Sequence, residues 1–164
     1  MITSQKLLQG FLIFSSSYIL LVLAGFDAIT WYLKPFLLPF LFYAVVKSGV
    51  FETKKWLLFA LLLSWIGDCI LLFSDQGPLY FILGLLAFLM AHIVLIVLFT
   101  KQKSANISFK KTLFWVGFAG ATIYLVTMLS FLLPSLGDMK FPVTVYALTI
   151  TIMLKTALKG TFDW

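Results

Sequence analysis

Charge is what this chain has least of. Only 11% of its 164 residues are charged, against 62% hydrophobic, and mean hydropathy is +1.09. A soluble domain carries about 25% charged residues, so a water-soluble fold is excluded and the chain reads as an integral membrane protein. Arginine is absent, and all twelve basic residues are lysines. In a membrane protein the formal net charge of +6 reflects lysines flanking helices on the cytoplasmic side rather than an anionic partner. Nucleic-acid binding is set aside on the same ground. There is one cysteine, Cys69, which lies inside an apolar segment. It forms no intrachain disulfide and does not report the redox compartment. There is also one histidine, His92. One His, one Cys and scattered Asp make no ligand cluster at useful spacing, so neither a metal nor a zinc-dependent mechanism is expected. No cofactor is expected either.

Long apolar runs, by contrast, are abundant. Crossing a bilayer takes roughly 20 apolar residues, and the pattern gives six candidate spans at 7–25, 32–46, 56–73, 79–99, 112–133 and 142–158. The expected fold is all-α, a polytopic transmembrane helix bundle forming one domain over residues 1–164. The first span follows Lys6 and resembles a signal peptide, but its length favours an uncleaved helix; cleavage after Leu23-Ala24-Gly25 is the alternative. Lysine placement supports the count of six. Ten of the twelve lysines fall at the N-terminus, the second and fourth loops and the C-terminal end, leaving only Lys34 and Lys140 on the opposite side. By the positive-inside rule both termini are cytoplasmic. A lysine-only basic set is compatible with a bacterial inner membrane.

Polar residues inside these spans are the candidate functional groups, because a charge near the bilayer centre costs at least a few kcal/mol and usually faces a protein interior or a water-filled cavity. The third span contains Asp68, with Ser64 four residues earlier on the same face and Gly67 beside it. The fourth contains His92, with Gly84 and Phe88 preceding it at spacings of four, flanked by Ala87 and Ala91. Small residues of this kind suit close helix contact. Ser15, Ser16, Ser17 and Tyr18 form a polar belt in the first span; packing and bonding to their own backbone is the default role of such serines. The second span opens with Lys34-Pro35 and contains Pro39, which predicts a distorted turn or a kink. Lys34 either snorkels to the interface or points inward to pair with an acid.

At 1.5 Å per residue, Asp68 lies nearer the outer end of its helix than His92 does, and Lys34 and Tyr146 lie closer in depth to Asp68. A Lys34–Asp68 pair is therefore at least as well supported as an Asp68–His92 pair. Plainer readings stand beside these: Asp68 as a structural acid bonded to a lysine or serine, and His92 as an inter-helix hydrogen-bond donor.

Taken together, Lys34-Pro35 opening the second span, Ser64-Trp65-Ile66-Gly67-Asp68 with Leu71 in the third, and Gly84-Leu85-x-x-Phe88-x-x-x-His92 in the fourth resemble the YhhN family of membrane lysoplasmalogenases. Tyr146 and Met153 in the sixth span also match. Members often carry an aromatic residue three after the histidine, where this chain has Leu95. They also continue through about two further helices, one with a Ser-Asp pair, so the sequence is either a fragment or a short form. The resemblance implies hydrolysis of the vinyl ether of a lysoplasmalogen. Asp68 and His92 would be the catalytic residues, Lys34, Tyr146 and Ser64 the substrate-binding ones, and a lysophospholipid-type lipid the partner within the membrane. The rival class is a small transporter or lipid-binding membrane protein using Lys34, Asp68 and His92 as a relay. The absence of a repeat between the two halves favours the enzyme, because transporter folds often carry one. A structural subunit is the third reading. Nothing in the sequence fixes the headgroup or the oligomeric state.

Overall fold

A computed structural model describes residues 4–101 and 111–161. Six helices follow one another: α1 (Ser4–Leu23), α2 (Asp27–Lys47), α3 (Lys54–Leu71), α4 (Pro78–Lys101), α5 (Lys111–Leu132) and α6 (Lys140–Thr161). They occupy the six apolar runs of the sequence. Five are long and apolar enough to cross a membrane; α3 is the one outside that group, with Lys54, Lys55 and Asp68 on its 18 residues. Lys103 and Lys110, assigned to the fourth loop, lie outside the described residues.

The helix ends follow from local sequence. α1 stops where Gly25 takes a left-handed φ of 77°. There the Phe26 N–H donates to the Leu21 carbonyl and the Gly25 N–H to the Val22 carbonyl, the paired closing bonds of a Schellman turn. α2 ends against Lys54, whose Nζ donates to the carbonyl oxygens of Val46 at 3.0 Å and Ser48 at 2.8 Å. A 3-10 turn at Ser74–Gln76 separates α3 from α4, which opens on Pro78, a residue pre-set for a first helical turn. Two more 3-10 turns, Leu133–Ser135 and Gly137–Met139, join α5 to α6.

The chain divides into two compact units, one through Ala91 and one from His92 onward. In the first, α1 packs on α2 and α2 on α3. In the second, α5 packs on α6. The buried apolar residues are mostly small, with Ala44, Ala60, Ala91 and Ala147 among them, and no large side chain among the described residues is fully buried. Large apolar side chains face outward instead, as Phe131 and Phe141 do at 81% and 78% exposure. Such an inversion is unfavourable in water and neutral in lipid, where backbones approach through small residues. The serine belt of α1 is mixed: Ser17 Oγ bonds back to the Ile13 carbonyl, while Ser15 Oγ is buried without a partner among the described residues.

Candidate functional site

Asp68 lies in the last turn of α3, half-buried, with half-buried Ser64 one turn before it. Across from them on α2 is Lys34, also half-buried. Its charge acts on Asp68, but the two do not close into a direct ion pair among the described residues. Lys34 is thus half-buried near an acid, without the direct pair that its inward reading named.

A hydrogen bond that the sequence motif does not spell out joins α3 to α2 near this level. Pro39 has no N–H, so the carbonyl of Pro35, four residues earlier, loses its helical donor. The indole Nε1–H of Trp65 donates to that oxygen at 2.8 Å. The signal was present as two prolines four apart on one span and a tryptophan on the next, but pairing them requires the register between the helices. A second tryptophan acts similarly at the helix end, where Trp31 Nε1 donates to the Leu72 carbonyl oxygen at 3.3 Å. Its ring meets Phe73 edge-on, and Phe73 in turn meets Tyr80.

The other side of α3 faces the first part of α4. A Cβ added at Gly67 would lie 2.8 Å from the Phe88 ring and 3.2 Å from the Gly84 carbonyl oxygen. A Cβ at Gly84 would lie 2.7 Å from Leu71 and 3.3 Å from the Gly67 carbonyl oxygen. The two glycines thus form a reciprocal crossing one residue from Asp68, which is the role anticipated for the small residues.

Between α2 and α3 runs an apolar groove of about 380 Å³, lined by Leu38, Pro39, Phe42, Leu61, Leu62 and Trp65, with Tyr43 at its edge. Leu38 lies one turn after Lys34, and Trp65 one turn before Asp68. The groove's own walls are apolar, and Lys34 and Asp68 are outside its lining. On the far side of α2, Pro39 and Tyr43 also border a second apolar groove, and Lys47 Nζ sits 5.5 Å over the Tyr43 ring.

His92 and Tyr146 meet within the second unit. Their rings stand edge to face, with centroids 5.4 Å apart and planes at 87°. Both are half-buried, and Val94, Leu98, Val143 and Ala147 are buried on the same two helices. The sequence did not single out this contact between α4 and α6. The threonines of α6 are satisfied within the helix: Thr149 Oγ1 donates to the Val145 carbonyl and Thr156 Oγ1 to that of Met153. Tyr146 is thus the aromatic polar group that this face offers to His92. Among the described residues no group of His, Cys, Asp and Glu is arranged to hold a metal ion.

Comparison with curated proteins and with solved structures returns no match. The model of the YhhN family, however, matches residues 29–164, a stretch that takes in Lys34, the Trp65–Pro35 bond, the glycine crossing and the His92–Tyr146 pair. The chain belongs to the YhhN family.

Proposed function

We propose that the protein is a membrane-embedded hydrolase that cleaves the vinyl ether bond of lysoplasmalogens, releasing a fatty aldehyde and a glycerophospho-ethanolamine or -choline. The observation that carries this reading is the apolar groove between α2 and α3, whose lining residues Leu38 and Trp65 lie one turn along their helices from Lys34 and Asp68. A lipid with one hydrocarbon chain and a phosphate has the matching chemistry. The chain lies in the groove, reached sideways from the bilayer, and the phosphate takes Lys34. Membership of the YhhN family, which the sequence resemblance ties to lysoplasmalogenases, supports the same reading.

The reaction needs an acid, a water and a means of stabilising positive charge. Protonation of the β-carbon of R–CH=CH–O–R′ gives the oxocarbenium ion R–CH₂–CH=O⁺–R′. Water adds to the carbon bonded to the ether oxygen and loses a proton, and the hemiacetal R–CH₂–CH(OH)–O–R′ collapses to R–CH₂–CHO and HO–R′. The proton consumed in the first step is returned in the second. No redox cofactor and no covalent nucleophile is called for. Asp68 donates the proton, and as a carboxylate it then offsets the cation it has made. Ser64, one turn before Asp68, supplies a hydrogen bond to the substrate. The family resemblance, rather than the geometry of the groove, gives His92 the role of the base that takes the proton from water and Tyr146 that of a hydrogen-bond donor. With its phosphate role, Lys34 leaves Asp68 unpaired by a direct ion pair, as a proton donor requires.

The test is aldehyde release from a lysoplasmalogen by purified protein in lipid nanodiscs. Asp68→Asn and His92→Ala are expected to reduce kcat by about 10² to 10⁴, the range for general acid–base groups. Lys34→Met is expected to raise KM more than it lowers kcat. A folded wild-type protein that releases no aldehyde would overturn the assignment, and the transporter reading would then be tested by lysophospholipid uptake into proteoliposomes.

A further inference from the structure

Apolar helices in lipid have little to fix their register, because sliding one along another exchanges hydrocarbon contacts for equivalent ones. A polar bond between them is different, since an unsatisfied carbonyl in the membrane interior has no water to turn to. Among the described residues, polar bonds tie α2 to α3 or its C-cap: Lys54 to Val46 and Trp31 to Leu72 lie at the helix ends, and Trp65 to Pro35 lies inside both helices, at a position set by Pro39. The carbonyl that Pro39 strips of its helical donor belongs to Pro35, the residue next to Lys34. The donor that replaces it, at 2.8 Å, belongs to Trp65, one turn from Asp68. Trp65 is also the residue of the α3 wall of the groove closest in sequence to Asp68.

We propose that Trp65 is a positioning residue: its hydrogen bond to the Pro35 carbonyl sets α3 against α2 so that Asp68 stands level with Lys34 and the indole ring forms part of the groove wall. Bulk alone would make Trp65 a filler, replaceable by any large aromatic. The proline-freed carbonyl makes it a donor that phenylalanine cannot replace. The link to catalysis rests on the proposed hydrolase, whereas the link to register does not.

The experiment is a double-mutant cycle on Trp65→Phe and Pro39→Ala, read in two ways on the full chain in nanodiscs. Register is read as the rate of disulfide cross-linking between Leu38→Cys and Leu61→Cys in a Cys69→Ala background, a pair that borders the same groove. Trp65→Phe is expected to slow cross-linking about five-fold, the scale of one interhelical hydrogen bond in a membrane. In the Pro39→Ala background the carbonyl regains its own N–H, and Trp65→Phe should then change the rate less than about two-fold. Equal slowing in both backgrounds would show that Trp65 acts by bulk, and no slowing in either would show that it does not set register; either result overturns the proposal. The second readout is aldehyde release without the added cysteines, where Trp65→Phe should lower kcat and leave KM nearly unchanged, with the same dependence on Pro39. A cross-linking cycle that couples as expected, in a protein that releases no aldehyde, would support the register device and sink the hydrolase reading alone. A fall in kcat with cross-linking unchanged would sink the register device alone.

Discussion

A methyl group at Gly67 has nowhere to go: it would press on the Phe88 ring at 2.8 Å and on the Gly84 backbone at 3.2 Å. Gly84 meets Leu71 just as closely. Either glycine changed to alanine must push α3 away from α4 or force side chains off their rotamers, at a cost of about 1–3 kcal/mol. Gly117 and Gly120 on α5 face open space, with nothing described within 4 Å. Alanine there removes only the backbone freedom of glycine and should be neutral or stabilising by roughly 0.5–1 kcal/mol. Thermal unfolding in detergent separates the two pairs; equal losses at all four positions would refute the close crossing. The glycine seam was legible in the sequence because small residues recur on one face beside an ionisable group. The Trp65–Pro35 bond was not, since its donor and acceptor are 30 residues apart and only the register between two helices joins them. Tyr146 was legible as a polar member of its helix face but not as the partner of His92, because only the packing of two helices distant in sequence joins them.

At the level of whole helices, hydrophobic run length was enough to find all six, since each is long, apolar and bounded by lysine, glycine or proline. The stops needed chemistry that run length does not contain. α1 ends on Gly25 at φ 77°, a conformation that costs an ordinary residue roughly 1–2 kcal/mol. Gly25→Ala should lower stability by about that amount, although nothing lies within 4 Å of the added methyl; an unchanged midpoint would mean the turn re-forms in another way. α2 ends on two carbonyls held by one lysine, Lys54. Lys54→Met removes both bonds at a helix end partly open to solvent, so the expected loss is about 1 kcal/mol. The neighbouring Lys55 is exposed, and Lys55→Met should be close to neutral. Amide exchange in the last turn of α2 is the sharper readout: it should quicken for Lys54→Met and stay unchanged for Lys55→Met. Equal exchange in the two variants would remove Lys54 from the cap. Composition marks Lys54 as a flanking lysine, and its second role emerges only once the turn between α2 and α3 is folded.

For the molecule as a whole, the side of the membrane on which Lys34 and Asp68 lie decides which leaflet would supply the proposed lipid substrate. Lys34 is near the start of α2 and Asp68 near the end of α3, so both belong to the end of the first unit that carries the α1–α2 turn and the Ser74–Gln76 turn. The loop between α2 and α3 lies at the opposite end and carries Lys47, Lys54 and Lys55, whereas the Ser74–Gln76 turn carries Asp75 and no lysine. Lysine retention on the cytoplasmic side predicts the α2–α3 loop inside and the Lys34–Asp68 end outside. Val50 in that loop is 99% exposed and Asp75 is exposed, so each can carry a reporter without disturbing packing. In a Cys69→Ala background, Asp75→Cys should react with a membrane-impermeant maleimide added to intact cells, and Val50→Cys should react only after the membrane is opened. The opposite pattern would invert the molecule and move the proposed hydrolysis to the cytoplasmic leaflet. The expected pattern places the headgroup at the outer face, with the lipid chain pointing inward along the groove between α2 and α3. A lysoplasmalogen supplied only to the outer leaflet of proteoliposomes of that orientation should then be cleaved without first crossing the membrane.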